Sequence, residues 1–328
     1  MDELHGRAYA CLLAGLVGDA MGTPTENLEP DEIERRFGWV REFTGPGTDD
    51  SLMKDLLSMA LTETDGYATA DDWAAQITAQ QALIRERRDK FFASVLHLVG
   101  KLRYGYLPRE LSEGNMPSSS SAMAIAPVGI VNAGNPCAAS AQAQELASLI
   151  HTGAVGFCQD GAAAVAAAVA EAMRPGATLA EVLDAGTAYL KPTSGALMRG
   201  LILDALSLAR ESGDYKTFRA AYHRRFRQTI ACDSRETIPA TFAICLLAGG
   251  DPVQAVEMGA NFGRDSDTIA TMAGAICGAL HGDRNLPSSW VATIGIHTDD
   301  SVGAMAGALV DVARRKARAE VAAWQHLL

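Results

Sequence analysis

The sequence has few aromatic residues, no closely spaced pair of cysteines and fewer basic than acidic side chains. Aromatic residues make up 6% of the 328 positions, and the formal net charge is −11. Because nucleic-acid grooves and anionic membrane surfaces both attract basic patches, this charge argues against either as a partner. The six cysteines contain no C-x-x-C pair, so nothing indicates a zinc knuckle or a disulfide framework. A small nucleotide stays open as a ligand.

Signals for export and for membrane insertion are also missing from the sequence. The chain starts Met1-Asp2-Glu3, which lacks the basic start and the apolar run of a signal peptide. Its longest uncharged stretch, residues 115–144, is interrupted by three prolines and by several glycine and asparagine residues, so it does not resemble a membrane-spanning helix. We therefore expect a soluble, cytoplasmic protein that contacts no membrane.

Helical periodicity dominates the chain. Apolar residues, 48% of the total, recur at helical spacing, and no run alternates apolar and polar residues as a half-buried strand does. The pattern predicts an all-α fold, and the lack of a low-complexity linker or a fixed-period repeat predicts one compact domain over residues 1–328. The predicted helices, with ends uncertain by about two to four residues, cover residues 4–21, 30–37, 50–64, 71–88, 90–103, 120–132, 138–150, 160–174, 178–189, 195–212, 214–228, 235–249, 252–261, 267–281 and 300–325.

Two of these predicted helices carry glycines along one face. The first has them at i, i+3 and i+7, and the second has one at every fourth position, so each row lies on one side of its helix. Glycine inside a helix costs up to about 1 kcal/mol relative to alanine, so the repetition predicts that each helix packs closely against a neighbour. The two rows are Gly15, Gly18 and Gly22, and Gly274, Gly278 and Gly282.

The segment Asp265-Ser266-Asp267-Thr268 directly precedes an apolar helix and is rich in oxygen ligands. Inside a regular helix Asp265 and Asp267 would diverge, but in the turn before a helix their carboxylates can converge. Clustered carboxylate and hydroxyl oxygens are the ligands that Mg²⁺, Mn²⁺ and Ca²⁺ prefer, whereas Zn²⁺ favours His and Cys. The competing interpretation is an N-terminal helix cap, for which Asp, Ser and Thr are the usual residues.

A second acidic segment, Thr48-Asp49-Asp50-Ser51, also precedes a predicted helix. The same tetrapeptide recurs as Thr298-Asp299-Asp300-Ser301 ahead of the last helix, where we interpret it as a helix cap because nothing chemically distinctive surrounds it. The first copy differs in its surroundings. Residues 15–26, upstream of it, form a small-residue helix that is followed by a loop bearing a carboxylate.

The order of these segments resembles the ADP-ribosylglycohydrolase family, which includes the dinitrogenase-reductase-activating glycohydrolases. The likeness extends over about residues 6–283 and is specific because five weak motifs occur in the right order. They are Gly-x-x-Gly-Asp-Ala-x-Gly-x-Pro-x-Glu at 15–26, Thr48-Asp49-Asp50-Ser51-Leu52-Met53, Ser148-Leu149-Ile150-His151 leading to Asp160-Gly161-Ala162, Glu236-Thr237-Ile238-Pro239-Ala240, and Asp265-Ser266-Asp267-Thr268-Ile269-Ala270.

The resemblance implies a compact all-α domain with two divalent cations, Mg²⁺ or Mn²⁺, in a cleft. Four clustered aspartates would repel one another without such cations, and two divalent ions supply four positive charges. By the same likeness Glu26 is the candidate catalytic carboxylate, with a solvated loop glutamate as the alternative. Asp19 is expected to hold neighbouring backbone or a metal ligand in place. The metal ligands carried over from the family are Thr48, Asp49 and Asp50 on one side, and Asp265, Asp267 and Thr268 on the other.

Departures from the family pattern bear on the substrate. Arg264 stands where many relatives have glycine, so its guanidinium is predicted either to meet a phosphate or carboxylate of the substrate or to pair with a neighbouring Asp. Where relatives often carry Asn-Gly followed by Met-Arg, this chain has four serines and no arginine. For the serines, helix capping is the alternative to substrate binding, and for His151 the alternative is an ordinary place in the core. The substrate-binding candidates are Asn115, Ser119, Ser120, Ser121, His151 and Arg264.

The resemblance implies a metal-dependent hydrolase that cleaves an ADP-ribosyl bond, on a small molecule or on a modified protein. A second hypothesis keeps this chemistry but uses a free ribosylated molecule such as a nucleoside or nucleotide, because the missing arginine weakens the match to an ADP-ribosylated protein. A third hypothesis is a non-catalytic, metal-binding or structural member. The intact candidates for all six metal ligands argue against the third, because an inactive copy need not keep clustered carboxylates.

Overall fold

In the computed structural model, which describes residues 2–298 and 301–325, every regular element is helical. No strand occurs within those ranges, so the predicted all-α class is confirmed. Short 3-10 turns lie at Thr23–Thr25, Arg88–Lys90, Pro108–Glu110, Gly153–Val155 and Asp283–Asn285. The α-helices, numbered in chain order, are α1 Glu3–Gly22, α2 Pro30–Phe37, α3 Asp49–Glu63, α4 Ala70–Ala79, α5 Gln81–Glu86, α6 Ala93–Arg103, α7 Ala126–Val131, α8 Pro136–Ala147, α9 Phe157–Ala172, α10 Leu179–Ala188, α11 Ala196–Ser212, α12 Tyr215–Phe226, α13 Ser234–Leu247, α14 Pro252–Ala260, α15 Ser266–His281, α16 Ser288–Thr298 and α17 Ser301–Gln325.

The predicted helices differ from the observed ones in three places. Residues 71–88 form two helices, α4 and α5, separated at Gln80. Helix α7 begins only at Ala126, where Pro127 occupies the first helical turn and loses no hydrogen bond. Helix α16 is absent from the prediction because its Val, Thr, Ile and Gly residues are weak helix formers. The cap predicted at 299–300 lies outside the described residues and stays a prediction.

Helices α1 and α15 contact each other backbone to backbone through the two rows of glycines. A Cβ atom placed on Gly18 would lie 2.4 Å from the backbone of Ala270, and one placed on Gly278 would lie 2.4 Å from the carbonyl oxygen of Ala10. Non-bonded carbon atoms normally stay about 3.5–4.0 Å apart, so only glycine fits without a shift of the helices. The predicted close packing is confirmed, and the neighbour of each glycine row is the helix that carries the other row.

This contact fixes the C-terminal end of α1 against the N-terminal end of α15. Two backbone hydrogen bonds tie the adjoining loops together: Asn27 donates to the Arg264 carbonyl at 2.6 Å, and Arg264 donates to the Leu28 carbonyl at 2.8 Å. The loop that carries Glu26 is therefore held beside the acidic segment that precedes α15, although about 240 residues separate them in the sequence.

Helix α9 runs through the core and is buried on nearly all sides. Its many alanines allow α7, α8 and α10 to pack against it. Residues 153–172, which include all of this helix, are long and apolar enough to cross a membrane, but 67% of the apolar 18-residue window within them is buried inside the protein. The core helix of a globular protein has the same length and composition, so this segment is weak evidence for a membrane span.

Candidate active site

Acidic residues from the two ends of the chain line one narrow cavity. The Thr268 hydroxyl lies 3.4 Å from Asp50 Oδ1 and 3.3 Å from Asp265 Oδ1, so it contacts carboxylates of both segments. One oxygen from each of Glu26, Asp265 and Asp267 lies within 4.8 Å of the other two. The cavity is lined by Glu26, Asp49, Asp50, Phe92, Ser119, Ser120, Met123, Cys232, Asp265, Asp267 and Thr268.

Asp19 fixes the start of α3, where two of the cavity aspartates lie. Its buried carboxylate accepts hydrogen bonds of 2.5–3.0 Å from the backbone N–H and the hydroxyl of both Thr48 and Ser51. These bonds supply acceptors that N–H groups at a helix start lack within their own helix. Gly47 allows the approach, because its φ is 88° and a Cβ there would lie 2.4 Å from Asp19 Oδ2. The role predicted for Asp19, holding neighbouring backbone in place, is confirmed.

Two of the cavity aspartates accept hydrogen bonds from segments outside their own helices. Asp265 occupies the N-cap position of α15, but its carboxylate accepts no cap bond from a backbone N–H of the first turn, where only the Thr268 hydroxyl contacts it. Asp265 Oδ2 instead accepts from the Ser119 hydroxyl at 2.8 Å. Asp49 Oδ2 accepts from the backbone N–H of Phe92 at 3.0 Å. The capping interpretation is therefore wrong for the Asp265 side chain.

The cavity holds more negative charge than the surrounding protein neutralises. Within residues 2–298 and 301–325, no Lys or Arg forms an ion pair with Glu26 or with the four cavity aspartates. In the same part of the chain, Asp50 Oδ2 and Asp267 Oδ1 are buried without a hydrogen-bond partner. A buried carboxylate oxygen without a partner is costly unless a proton or a cation neutralises it.

Burial raises the pKa of every aspartate in the cavity. Loss of hydration raises the pKa of Asp49 and of Asp265 to about 7. The pKa values of Asp50 and Asp267 are raised well above their usual range, first by burial and then by the negative charges nearby. Carboxylate and hydroxyl oxygens are what hard divalent cations bind, and such cations would favour the ionised forms. The residues present therefore fit a divalent-metal centre.

Three of the predicted substrate-binding residues, Asn115, Ser121 and His151, do not line the cavity and form hydrogen bonds within the protein instead. His151 is fully buried, with Nε2 2.9 Å from the Ser118 hydroxyl and Nδ1 3.0 Å from the Ser121 hydroxyl. The side-chain amide of Asn115 donates to two backbone carbonyls. The structure thus brings only two of the predicted serines, at positions 119 and 120, into the cavity lining. The other three residues support the segment that carries those serines.

Arg264 and Thr48 also lie outside the cavity lining. Arg264 Nε is 2.6 Å from Glu236 Oε1, and its terminal nitrogen donates to the Gln228 carbonyl. Of the two alternatives for Arg264, the structure therefore shows the ion pair, and its partner is a glutamate rather than an aspartate. The Thr48 hydroxyl donates to Asp19 at 2.9 Å. A hydroxyl that donates keeps its lone pairs, so Thr48 stays a predicted metal ligand.

Sequence reasoning missed three residues of the cavity lining, namely Phe92, Met123 and Cys232. Apolar and thiol side chains at helical spacing are typical of a protein core, so nothing in the pattern set these residues apart. Glu236 belongs to one of the family-like motifs, but its pairing with Arg264 depends on two elements that only the fold brings together.

A groove of about 600 Å³ adjoins the cavity. Its wall includes Pro24, Thr48 and Phe91, whose near neighbours in the chain line the cavity. Phe43 contributes apolar surface, and the charged lining residues are Glu42, Glu86, Arg87, Asp89 and Lys90.

The raised aspartate pKa values predict that the metal-free protein becomes less stable as the pH rises. Asp49 and Asp265 have pKa values of about 7 in the folded protein, against an ordinary value of 3.8. Between these values the folded chain binds more protons than the unfolded chain, so the free energy of unfolding falls as the pH rises through this window. Thermal unfolding in EDTA should therefore give a lower Tm at about pH 8 than at about pH 5.

Two controls assign this effect to the cavity. Asp265→Asn should reduce the dependence of Tm on pH, because one of the titrating groups is gone. Saturating Mg²⁺ should raise Tm more at the higher pH, where the carboxylates are ionised. A metal-free Tm that is constant or rises between the two pH values would contradict the prediction.

Comparisons with known proteins find relatives over nearly the whole chain. A model of the ADP-ribosylglycohydrolase family matches residues 1–319. The uncharacterized protein YegU of Escherichia coli strain K12 is 28% identical over 310 residues, which cover 84% of this chain and 88% of that protein. The ADP-ribosyl-[dinitrogen reductase] glycohydrolase of Rhodospirillum rubrum is 26% identical over 328 residues, which cover 95% of this chain and 98% of that protein. A solved structure described as an ADP-ribosylglycohydrolase-related protein complex has a TM-score of 0.70 at 20% identity, covering 95% of this chain and all of that one, and supports the fold.

Proposed function

The chain belongs to the ADP-ribosylglycohydrolase family, and from this membership we propose that it hydrolyses a ribosyl bond of the ADP-ribosyl type with the help of divalent cations. Membership makes the chain a glycosidase-type hydrolase. Metal dependence is supported above all by the buried oxygens of Asp50 and Asp267, which have no partner among the described residues. A purely structural role gives no reason to keep such costly groups together.

We assign two cations, Mg²⁺ or Mn²⁺, to the cavity. Two divalent ions would balance the charge of the four cavity aspartates, and oxygen ligands suit these metals. When bound, the cations would orient the ribose hydroxyls and make a bound water more acidic. Asp19 and Ser119 position the ligands through the hydrogen bonds described above. The proposed ligands are Thr48, Asp49, Asp50, Asp265, Asp267 and Thr268.

Glu26 is the proposed catalytic carboxylate. It lines the cavity from the loop after α1, and its neighbour Asn27 donates to Glu26 Oε1 at 3.0 Å. Burial raises the pKa of Glu26, and the negative charge of Asp19 acts in the same direction. A carboxyl group with a raised pKa can exchange a proton near neutral pH, and its ionised form can stabilise the positive charge that develops on the sugar ring.

The cavity lining bears on the choice of substrate. The Rhodospirillum rubrum relative is named for an ADP-ribosyl group on dinitrogen reductase, so a modified protein is the first substrate class that we propose. The lining also favours a second class. Its uncharged part consists of Phe92, Ser119, Ser120, Met123, Cys232 and Thr268, and no Lys or Arg lines the cavity among the described residues. A free nucleoside needs no cation there, so a ribosylated small molecule is the alternative.

A substrate panel tests the proposed reaction. With Mg²⁺ or Mn²⁺ present, we expect release of ADP-ribose from ADP-ribosyl-arginine or ADP-ribosyl-serine, and no release in EDTA. Glu26→Gln should lower kcat by about 100-fold or more while the protein still binds Mn²⁺. If every ADP-ribosyl compound is inert and a free nucleoside is cleaved, the substrate is a ribosylated small molecule and not an ADP-ribosylated protein. If nothing is cleaved and no metal binds, the proposed function is wrong.

We also propose a cytoplasmic location. All six cysteines are free, and five of them are buried. Free thiols persist in reducing compartments, whereas oxidising ones favour disulfides. Cell fractionation tests this proposal, and recovery of the protein outside the cytoplasm would contradict it.

A further inference from the structure

One part of this acidic chain is strongly basic. Residues 81–110 contain seven Lys and Arg but only three Asp and Glu, a local charge of +4 in a chain whose net charge is −11. Helices α5 and α6 and the 3-10 turn Arg88–Lys90 lie in this segment. The basic residues are Arg85, Arg87, Arg88, Lys90, Lys101, Arg103 and Arg109.

Three of these arginines line one small pocket between α5 and α6. Arg85, Arg88 and Arg103, all exposed, share it with Gln81, and its volume is about 100 Å³. The rest of its lining is apolar: Ile84, Leu96, Val99 and Gly100. No Asp or Glu lines this pocket. In the described ranges of the chain, none of the three guanidinium groups has a carboxylate within 4.0 Å. The pocket therefore gathers positive charge that the protein itself leaves unbalanced.

The chemistry of these side chains indicates the ligand. Guanidinium groups are planar forks that bind phosphate oxygens through two parallel hydrogen bonds, and they remain charged at all physiological pH values. Three of them around a space of about 100 Å³ suit one tetrahedral oxyanion. We propose that Arg85, Arg88 and Arg103 form a binding site for a phosphate group, separate from the carboxylate cavity.

The position of this site relates it to the groove beside the cavity. Arg88 faces the basic pocket, whereas Arg87, Asp89 and Lys90 line the groove. One turn of the chain thus forms part of both walls. A phosphate bound in the pocket would lie behind the wall of the groove and would offset the positive charge of that turn.

Calorimetric titration of inorganic phosphate into the metal-free protein tests the proposal. EDTA removes cations from the carboxylate cavity, which then repels anions, and low ionic strength keeps surface charges unscreened. We expect one phosphate per chain. Arg88→Gln and Arg103→Gln should each weaken phosphate binding by about tenfold. The matched control is Arg109→Gln, because Arg109 is exposed like the pocket arginines and lies in the same segment but does not line the pocket.

A second measurement protects the test against variants that fail to fold. In the unaltered protein, the Nε–H NMR signals of Arg85, Arg88 and Arg103 should shift with added phosphate, and that of Arg109 should not. A parallel titration with adenosine 5′-monophosphate tests whether the site binds free phosphate or the phosphate of a nucleotide. Equal affinity indicates recognition of phosphate alone, and tighter binding indicates a nucleotide phosphate.

The absence of saturable phosphate binding, or binding that neither pocket variant weakens, would overturn the proposal. This result is distinguishable from failure of the proposed hydrolase function. The phosphate titration contains no metal, whereas hydrolysis is measured with Mg²⁺ or Mn²⁺ present. Arg88→Gln and Arg103→Gln lie outside the cavity and the groove lining, so they should retain hydrolysis.

Discussion

Asp267→Asn is expected to reduce hydrolysis by about 1,000-fold, which is the scale on which active sites lose activity when one charge-stabilising group is removed. Asp267 is buried in the cavity, and its Oδ1 has no partner in the described part of the chain. Asparagine has nearly the same shape but carries no charge and has one acceptor oxygen fewer. A divalent cation would therefore lose a ligand, and calorimetry with Mn²⁺ should show weaker binding or none.

The same variant should be more stable than the original protein when metal is absent. Burial and then the neighbouring carboxylates raise the pKa of Asp267, so folding must either bury its charge or protonate it, and asparagine avoids both costs. A gain in metal-free Tm together with a loss of activity would exclude misfolding as the cause. Asp71→Asn is the matched control, because Asp71 is exposed in the first turn of α4 and lies outside the cavity. If Asp267→Asn hydrolyses the substrate and binds Mn²⁺ as well as the original protein does, the assignment of Asp267 is wrong.

Gly278→Ala is expected to lower the free energy of unfolding by about 2 kcal/mol. Its Cβ would lie 2.4 Å from the Ala10 carbonyl oxygen, so α1 and α15 would have to separate. Overpacking of this kind costs about 1–3 kcal/mol, and here it acts on a backbone contact that no side-chain rotation can relieve. The cost should exceed the gain of up to about 1 kcal/mol that alanine brings to a helix interior. Urea unfolding of the metal-free protein measures the change.

Gly200→Ala is the control for this prediction. Gly200 lies inside α11, and a Cβ placed there meets no atom within 4 Å. Alanine should therefore stabilise the protein at this position by up to about 1 kcal/mol. If both variants change stability in the same direction by similar amounts, close packing of α1 on α15 is not what makes glycine necessary.

Much of the fold follows from local patterns in the sequence. Proline and glycine mark ends of helices because each limits the backbone in a known way, and Pro30 and Gly38 do bound α2. The glycine rows predict close packing, but not that the two rows meet. That pairing depends on contacts between helices about 250 residues apart. Helix periodicity describes one helix face and does not identify the partner of that face.

In the active site, too, local chemistry could be predicted and contacts between distant elements could not. The residue types at 49, 50, 265 and 267 indicate oxygen ligands by their chemistry alone, and the fold places them in one cavity. The directions of Arg264 and His151 could not be predicted, because each is set by a partner on a distant element. Arg264 pairs with Glu236, and His151 bonds to the serine segment. A side chain's chemistry can be read from its type, whereas its orientation depends on the packed neighbours.

Crystals grown with Mn²⁺ and measured at the manganese absorption edge would show directly whether both ends of the chain bind the same cations. We expect two anomalous peaks in the cavity, each within bonding distance of carboxylates from the 49–50 and 265–267 segments. No peak there at saturating Mn²⁺, or manganese bound only elsewhere on the protein, would contradict a shared metal centre.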